Sequence, residues 1–592
     1  MMANFSDTSR SNSLSHCDEL TTNSSSSVTL SSHFAQSREQ RIAELKATKN
    51  WDLVIIGGGI TGAGILKLAS QMKLKVLLVE QKDFAWGSSS RSSKMIHGGL
   101  RYMAQGQFRL TKESVTERER LLSEGYPLIT KQSFVMSHYR KAFPSPWLFG
   151  QLLNCYDFIA GMKQHKYWPK AYYEGLVPSV DTENLLGGTQ FTDALTDDAR
   201  LVLRLIQESL QLGGQALNYA KVSQVTQLNN AEIDDQDDGY QVSVELDEEE
   251  LEVNAKVVVN ACGAWSNQLL TDLGSTPGKH PKYYMRPLRG SHLIIPSWRL
   301  PLASVVSVRH QLDNRPVQIY PWLNVTVVGT TDEEHKDDLN REARISQQEF
   351  DYLLDAVAQQ FPNAGITEKD IISTWAGVRP VITTEKQASP SKEKRDHHIE
   401  QQGGLISVTG GKLTTFRLIA EQTMALASKR ISSSVDSKPG GTGSTSISKR
   451  YDRAIKAPIF SKYKGESLNH LSNEIFNQTL SCYGELSESF ISAFSAQDLL
   501  PIRYTRHLWA ELAWAAKYEH VHHLDDLLLR RTRLGNLLPN GGDDILPRVE
   551  RLCRKELGWS EEKWQAEVER YRELWRGAYS LPALPIEKSN NK

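Results

Sequence analysis

Three glycine-marked turns carry residues suited to holding a long phosphate-bearing ligand. The first is Gly57-Gly58-Gly59-Ile60-Thr61-Gly62, set between an apolar run, Leu53–Ile56, and an apolar helical stretch. A second apolar run, Val76–Val79, follows and ends at Glu80. Gly57 permits a tight turn, Gly59 lets the backbone approach a pyrophosphate, and Gly62 lets helix and strand pack closely. A helix starting at Ile60 offers N–H groups and a partial positive charge to that pyrophosphate. Glu80, 23 residues after Gly57, can accept bonds from ribose hydroxyls and would repel a 2′-phosphate, which disfavours NADP. The second turn, Asn260-Ala261-Cys262-Gly263-Ala264-Trp265, ends the apolar strand that starts at Val257. The third, Gly410-Gly411-Lys412-Leu413-Thr414-Thr415, opens another helix roughly 350 residues after the first and suits a ligand held at both ends. Taken alone, that third turn also fits an ordinary αβ connection.

The elements that must position these turns follow from the surrounding pattern. From Trp51 to about Arg430, β-branched runs alternate with amphipathic segments, as in a mixed α/β protein. The spacing predicts strands at Lys256–Asn260, Val317–Tyr320, Val325–Gly329 and Leu405–Thr409. It predicts a helix over Asp197–Leu212, capped by Asp197 or Asp198 and ended by Gly213-Gly214. The acidic stretches Asp234–Asp238 and Glu248–Glu250 read as a solvated hairpin edge, and His397-His398 as a surface loop. No metal site is expected. The first 37 residues hold 12 Ser and 4 Thr, too little apolar surface to offset ordering entropy, so 1–48 reads as a disordered tail. Its acidic residues and missing apolar core argue against a targeting signal. A body at 49–430 is followed by a Ser/Gly/Thr-rich linker, 431–450, and a helical region, 451–580.

Composition excludes some function classes. Lys plus Arg total 69 against 70 for Asp plus Glu, a formal net charge of -1, which argues against a dedicated nucleic-acid binder. No apolar run is long enough to span a bilayer. The five cysteines are scattered without a C-x-x-C pair, which disfavours a zinc ribbon or disulfide scaffold and fits a reducing compartment.

Longer motifs carry a specific resemblance. The run Ser89-Ser90-Arg91-Ser92-Ser93-Lys94-Met95-Ile96-His97-Gly98-Gly99-Leu100-Arg101-Tyr102 resembles the signature of FAD-dependent glycerol-3-phosphate dehydrogenases. So do Leu195–Leu201, Gly329-Thr330-Thr331-Asp332, Gly377-Val378-Arg379-Pro380, the turn at Gly410, and Asp525-Asp526 with Leu529–Arg533. The resemblance runs in order from about Asp52 to Gly535. It implies the fold of the D-amino-acid-oxidase-like flavoproteins: a Rossmann-like FAD domain interleaved with a β-sheet substrate domain, plus an all-helical C-terminal domain. It also implies oxidation of sn-glycerol 3-phosphate to dihydroxyacetone phosphate, with FAD taking the hydride and a quinone taking the electrons.

On that resemblance the cofactor-binding candidates are Gly57, Gly59, Ile60, Gly62, Glu80, Ser93, Lys94, His97, Val222, Ala261, Gly263, Gly411, Lys412, Leu413 and Thr414. Arg suits a phosphate because its planar fork bonds in two places; Arg101 and Arg379 are the clamp candidates, with Lys412 as a further cation and Tyr102 as a hydrogen-bonding partner. His97 and His292 are both candidates for proton removal, since imidazole titrates near working pH; Arg379 could instead stabilise the alkoxide. Two positions depart from the pattern: Arg289 stands where some relatives carry Lys, and Cys262 where Thr is common. Cys262 reads as a small packing residue without the cationic neighbour of a redox thiol.

A quinone acceptor implies contact with a membrane surface, on the cytoplasmic face of the inner membrane, without a spanning helix. Trp147–Ile159, with Lys163, Lys166 and Lys170 behind it, has the composition of an interfacial helix; a buried helix of the substrate domain is the competing reading. A homodimer is compatible with the sequence. Two other functions stay open: an oxidase that passes electrons to oxygen and makes hydrogen peroxide, and a non-catalytic flavin-binding module.

Overall fold

Every side chain of the run Val76–Val79 is apolar and buried, the pattern of a parallel strand covered on both faces. It lies parallel to Asn50–Ile56, which is parallel to Glu250–Asn260, which is parallel to Leu405–Gly410. Gln215–Leu217 extends one edge in parallel, and His397–Gln402 closes the other antiparallel. The hairpin of Lys221–Gln227 and Tyr240–Glu245 hangs on the 250–260 strand. Segments far apart in the chain thus build one sheet. The computed structural model describes residues 30–161, 163–228, 239–246, 249–272, 284–383, 397–435, 446–463, 465, 468 and 471–582.

Helices Ile60–Gln71, Asp198–Gln211 and Phe416–Val435 cover one face of this sheet, sharing a core with Leu53, Ile55, Val257 and Ile406. Asp197 caps the second of these as its sequence suggests, accepting from Arg200 N–H at 3.1 Å. A second, mostly antiparallel sheet joins Leu185–Leu195, Thr130–Tyr139, Val305–Arg309, Pro316–Trp322, Val325–Gly329 and Tyr284–Pro296. Ser373–Thr383 pairs antiparallel with Tyr284–Pro296, setting His292 opposite Trp375 and Leu288 opposite Arg379. The interleaved α/β architecture with a helical C-terminal region is the one expected.

That C-terminal region contains Ile447–Lys456, Asn473–Tyr483, Trp509–Tyr518, Leu546–Cys553 and Glu561–Ala578. Its leucines and tryptophans share a core with Phe134, Ile294, Trp322 and Trp375 of the second sheet. Buried ion pairs tie it to the first: Asp83 with Arg530 and Arg531, Asp197 and Asp198 with Arg533, and Glu519 with Arg200. Burial alone would raise Asp83, but Arg531 and Arg530 outweigh it and hold the carboxyl well below its usual range.

The N-terminal expectation needs correcting. Residues 1–29 lie outside the described residues, but from Leu30 the supposed tail is folded. Ser31 and Ser37 cap the helices Ser32–Ala35 and Arg38–Ala47. Phe34 stacks on Tyr518 at 5.7 Å, Leu45 is buried, and Arg41 donates to Gln215 Oε1 at 3.1 Å. Serines counted as low complexity are caps, and three well-placed side chains dock the segment. The expected linker also shortens, because Phe416–Val435 and Ile447–Lys456 reach into it; 436–445 lie outside the described residues, as do Asp234–Asp238 and Glu248. His397-His398 belong to the edge strand and not to a surface loop, with His397 Nε2 2.6 Å from Gln422 Oε1.

Candidate active site

A cavity of about 540 Å³ is lined by both sheets and by all three glycine turns. In the first turn Gly57 has φ +112°, and a Cβ there would sit 2.7 Å from the Ala261 carbonyl oxygen, so only glycine fits between the two turns. Gly57 N–H donates to Val79 O at 2.8 Å, Gly58 N–H to Glu80 Oε2 at 2.6 Å, and Ile60 N–H to Ser89 Oγ at 3.0 Å. Gly59 is the N-cap of Ile60–Gln71 and supplies no side-chain cap. The positive end of that helix therefore meets the cavity wall at Gly59, Ile60 and Thr61. Glu80 also lines the cavity and accepts from Lys82 N–H at 2.9 Å. Burial raises its pKa despite the two backbone bonds. Gly62 does not line the cavity: a Cβ there would lie 1.9 Å from Gly57 O, so its part is helix–strand packing.

The second turn contributes Ala261, Cys262, Gly263, Ala264 and Trp265, and the third Gly410, Gly411, Lys412, Leu413 and Thr414. Val222 lines the same cavity from the hairpin. Cys262 faces the cavity; its thiol donates to Ile56 O at 3.3 Å, and burial pushes its pKa up, so it has no thiolate character. Trp265 Nε1 and Gln318 Oε1 belong to cavity-lining residues, are buried, and have no hydrogen-bond partner among the described residues.

Five charged or polar candidates also line the cavity: His97, Tyr102, His292, Arg379 and Lys412. Arg379 donates from Nη1 to Asp332 Oδ1 and from Nη2 to Thr330 Oγ1 and Thr331 O, each at 2.9 Å. Gly290 makes room for it, since a Cβ there would lie 2.0 Å from Arg379 Nη2. The Lys412 ammonium sits 3.6 Å from the Tyr102 ring centre, a cation–π contact. His97 N–H donates to Thr414 Oγ1 at 3.2 Å. His292 Nε2 lies 2.9 Å from Ser93 Oγ, and its ring stacks on Trp375 at 5.0 Å. Its Nδ1 is buried with no partner among the described residues. Burial, then Lys94 and Arg379, hold its pKa well below the ordinary value, so the imidazole is neutral at neutral pH.

Two candidates fare differently. Arg101 is on the helix Leu100–Ala104, but its side chain lies outside the described residues. Lys94 does not line the cavity: it is fully buried, donating to Ser90 O at 2.7 Å and Asp198 Oδ1 at 2.8 Å, and its backbone N–H donates to Ser92 Oγ at 3.0 Å. Sequence reasoning missed Arg91, Gln318 and Asn340, which do line it. Arg91 stacks 4.8 Å from the Trp86 ring, pairs with Glu342, and donates to Tyr579 Oη at 3.3 Å. An arginine inside the Ser89–Tyr102 run was a usable signal; Gln318 and Asn340 carried none.

The site fits a dinucleotide. The close approach at Gly57, the helix end at Gly59, the half-buried Glu80 carboxyl group and two residues with unpartnered buried polar atoms all line one cavity. The comparisons agree. Residues 52–425 match the family model of the FAD dependent oxidoreductases, and residues 439–564 match that of the C-terminal domain of alpha-glycerophosphate oxidase. An aerobic glycerol-3-phosphate dehydrogenase of Staphylococcus aureus is 30% identical over 507 residues, 84% of this chain and 89% of the relative. Among solved structures, a glycerol-3-phosphate dehydrogenase from Bacillus halodurans complexed with FAD superposes with a TM-score of 0.67 at 25% identity, covering 93% of this chain and 99% of that one. An L-alpha-glycerophosphate oxidase from Mycoplasma pneumoniae, at 17% identity and a TM-score of 0.50 over 64% of this chain and 95% of its own, shares the fold.

Proposed function

The chain belongs to the family of FAD-dependent glycerol-3-phosphate dehydrogenases, and from that premise we propose that it oxidises sn-glycerol 3-phosphate to dihydroxyacetone phosphate and delivers the electrons to a quinone. The observation that carries this reading is the meeting of Arg379, Lys412 and a neutral His292 on the same cavity as the three glycine turns. When bound, FAD supplies the two-electron acceptor. The turns at Gly59, Ala261, Gly263, Gly411, Leu413 and Thr414, with Ile60, Glu80, Ser93 and Val222, are the residues that would hold it.

The remaining work falls to side chains. Arg379, already oriented by Asp332, Thr330 and Thr331, presents a rigid cation to the phosphate dianion. Lys412, steadied on the Tyr102 ring, adds a second positive charge. Taking a proton from the secondary hydroxyl needs a neutral base within the cavity. His292 meets this requirement, and the nearby cations favour the developing alkoxide. His97, whose backbone is tied to Thr414, fits better as a wall residue beside the cofactor.

For the acceptor, the exposed face of helix Pro146–Ala160 supports a quinone drawn from a membrane surface. Trp147 is 72% and Phe158 89% exposed, Phe143 just before the helix is 71% exposed, and the helix's one charged residue, Asp157, is buried. Lys141, Lys163, Lys166 and Lys170 are exposed around it, the make-up of an in-plane interfacial helix. No helix among the described residues is long and apolar enough to cross a membrane. Anaerobic glycerol 3-phosphate should bleach the visible band of the bound flavin, and a soluble quinone should restore it. Absence of bleaching would refute the substrate reading. Peroxide formed under air as fast as substrate is consumed would overturn the quinone acceptor in favour of oxygen.

A further inference from the structure

One carboxylate outside the cavity is bonded to the neighbours of both substrate-facing groups. Glu349 occupies the third position of helix Gln347–Gln360 and forms a capping box with Ser346, accepting from Ser346 N–H and Oγ at 3.0 Å each. A cap needs nothing more. Yet Glu349 Oε1 also accepts from Ser291 Oγ at 2.9 Å and from Thr331 Oγ1 at 2.6 Å, while Oε2 accepts from Arg289 Nε at 3.0 Å. Thr331 Oγ1 in turn accepts from Ser291 N–H at 2.9 Å. The carboxylate is buried; burial would raise its pKa, but the bonds from Thr331, Ser346 and Arg289 outweigh that and keep it ionised.

The residues it holds are one step from the chemistry. Ser291 precedes His292. Thr331 lies between Thr330 and Asp332, and all three residues of that turn accept from Arg379. Strand 284–296 already flanks the turn 330–332 through its pairing with 325–329 and with 333–334, but those ladders leave the side chains of the turn free to adjust. Glu349 adds a side-chain tie between strand and turn, through a charge-assisted pair of hydroxyl bonds. We propose that Glu349 is a positioning residue for the substrate site, locking the 330–332 turn against the His292 strand so that Arg379 and His292 face one substrate at fixed separation. This rests on the reading of Arg379 as the phosphate clamp. Arg289 supplies the counter-charge that keeps Glu349 buried and ionised, which gives the arginine at that position a specific task.

Three variants of the FAD-loaded chain test it: Glu349→Ala, Glu349→Gln, and Ser346→Ala, which removes the cap partner but leaves the link to Thr331. Glu349→Ala should raise the KM for glycerol 3-phosphate and the calorimetric Kd for inorganic phosphate by roughly 10-fold or more, since small misplacements of a clamp are costly. Flavin content should stay at the wild-type level. Glu349→Gln, which keeps an acceptor without the charge, should fall between, and Ser346→Ala should move the melting temperature but neither constant. In an Arg379→Ala background, Glu349→Ala should add less than about twofold, because coupled residues are not additive. Two results overturn the proposal: unchanged KM and phosphate Kd in both Glu349 variants, or an undiminished effect in the Arg379→Ala background. Should Glu349→Ala fail to fold, Glu349→Gln decides by the same two constants. A wild-type flavin that glycerol 3-phosphate does not reduce would sink the functional reading instead, and the phosphate Kd would still judge Glu349.

Discussion

Replacing Gly59 by alanine separates what the protein needs from what the cofactor needs. Gly59 has φ −83° and ψ −173°, a conformation open to any residue. An added Cβ would meet one neighbour within 4 Å, Ser89 Oγ at 3.1 Å, a side-chain atom that can shift. Alanine is a poorer N-cap than glycine by several tenths of a kcal/mol, but the unfolded chain loses about 0.4–1 kcal/mol of entropy, so stability should change by under about 1 kcal/mol. A pyrophosphate lying over the helix end would meet the new methyl. Losing one charge-assisted bond costs roughly 1.5–3 kcal/mol, so FAD should bind roughly 10- to 100-fold more weakly. The assay is a fluorescence titration of apoprotein with FAD, run beside urea unfolding of the same sample. Gly62→Ala is the contrast: its methyl would land 1.9 Å from the Gly57 carbonyl oxygen, and stability and FAD should be lost together. An FAD affinity within twofold of wild type in Gly59→Ala would show that the pyrophosphate does not run over this helix end.

Further outcomes follow from the buried charges and the exposed helix. Arg531→Met takes from Asp83 one of its two arginine partners and leaves Arg530 and the Asn218 amide; weakening the buried pair should cost about 2–3 kcal/mol in equilibrium unfolding, and a loss below about 1 kcal/mol would refute a structural part for it. Burial, against the pull of Asp198, takes Lys94 down to about 8 from 10.5. The folded chain then binds fewer protons than the unfolded one between those values, so this stabilisation is complete above pH 10.5 and is lost as pH falls through about 8. Wild type should gain roughly 1–2 kcal/mol more than Lys94→Met between pH 7 and pH 9.5; equal slopes of stability against pH would count against it. The pair Trp147→Ser and Phe158→Ser should reduce sedimentation with anionic lipid vesicles several-fold while leaving flavin reduction by glycerol 3-phosphate intact. A wild-type chain that stays in the supernatant would dispose of the interfacial helix.

What could be read in advance was local. Gly57, Gly59 and Glu80 announce themselves because turn geometry and strand ends are set by near neighbours in sequence. Helix Asp198–Gln211 and the strands at 76–79 and 325–329 follow from caps and apolar runs. Lys94 shows where such reading stops. Its neighbours in the motif face the cavity, but it has φ 59° and is paired with Asp198 beside Arg533, partners that no local pattern links to it. The same holds for Glu349, whose significance lies in strands joined only by the folded sheet. The first docked helices were hidden for another reason: composition counts serines without seeing which of them are caps.

The nucleotide sheet also sets a timetable for synthesis. Its strands at 50–56 and 76–79 leave the ribosome early, but their partners at 250–260 and 405–410, and the turn at Gly411, come much later. At about 5–20 residues per second, the roughly 350 residues separating the first glycine turn from the third take roughly 20–70 s to make. Strand 50–56 has an unpaired apolar edge until 250–260 is made; after that the open edge belongs to 250–260 until 405–410 arrives, and the cavity lacks one wall until then. Cofactor capture therefore waits for a chain made at least as far as Gly411, and a nascent chain stalled before that point would be a client for chaperones rather than a flavoprotein.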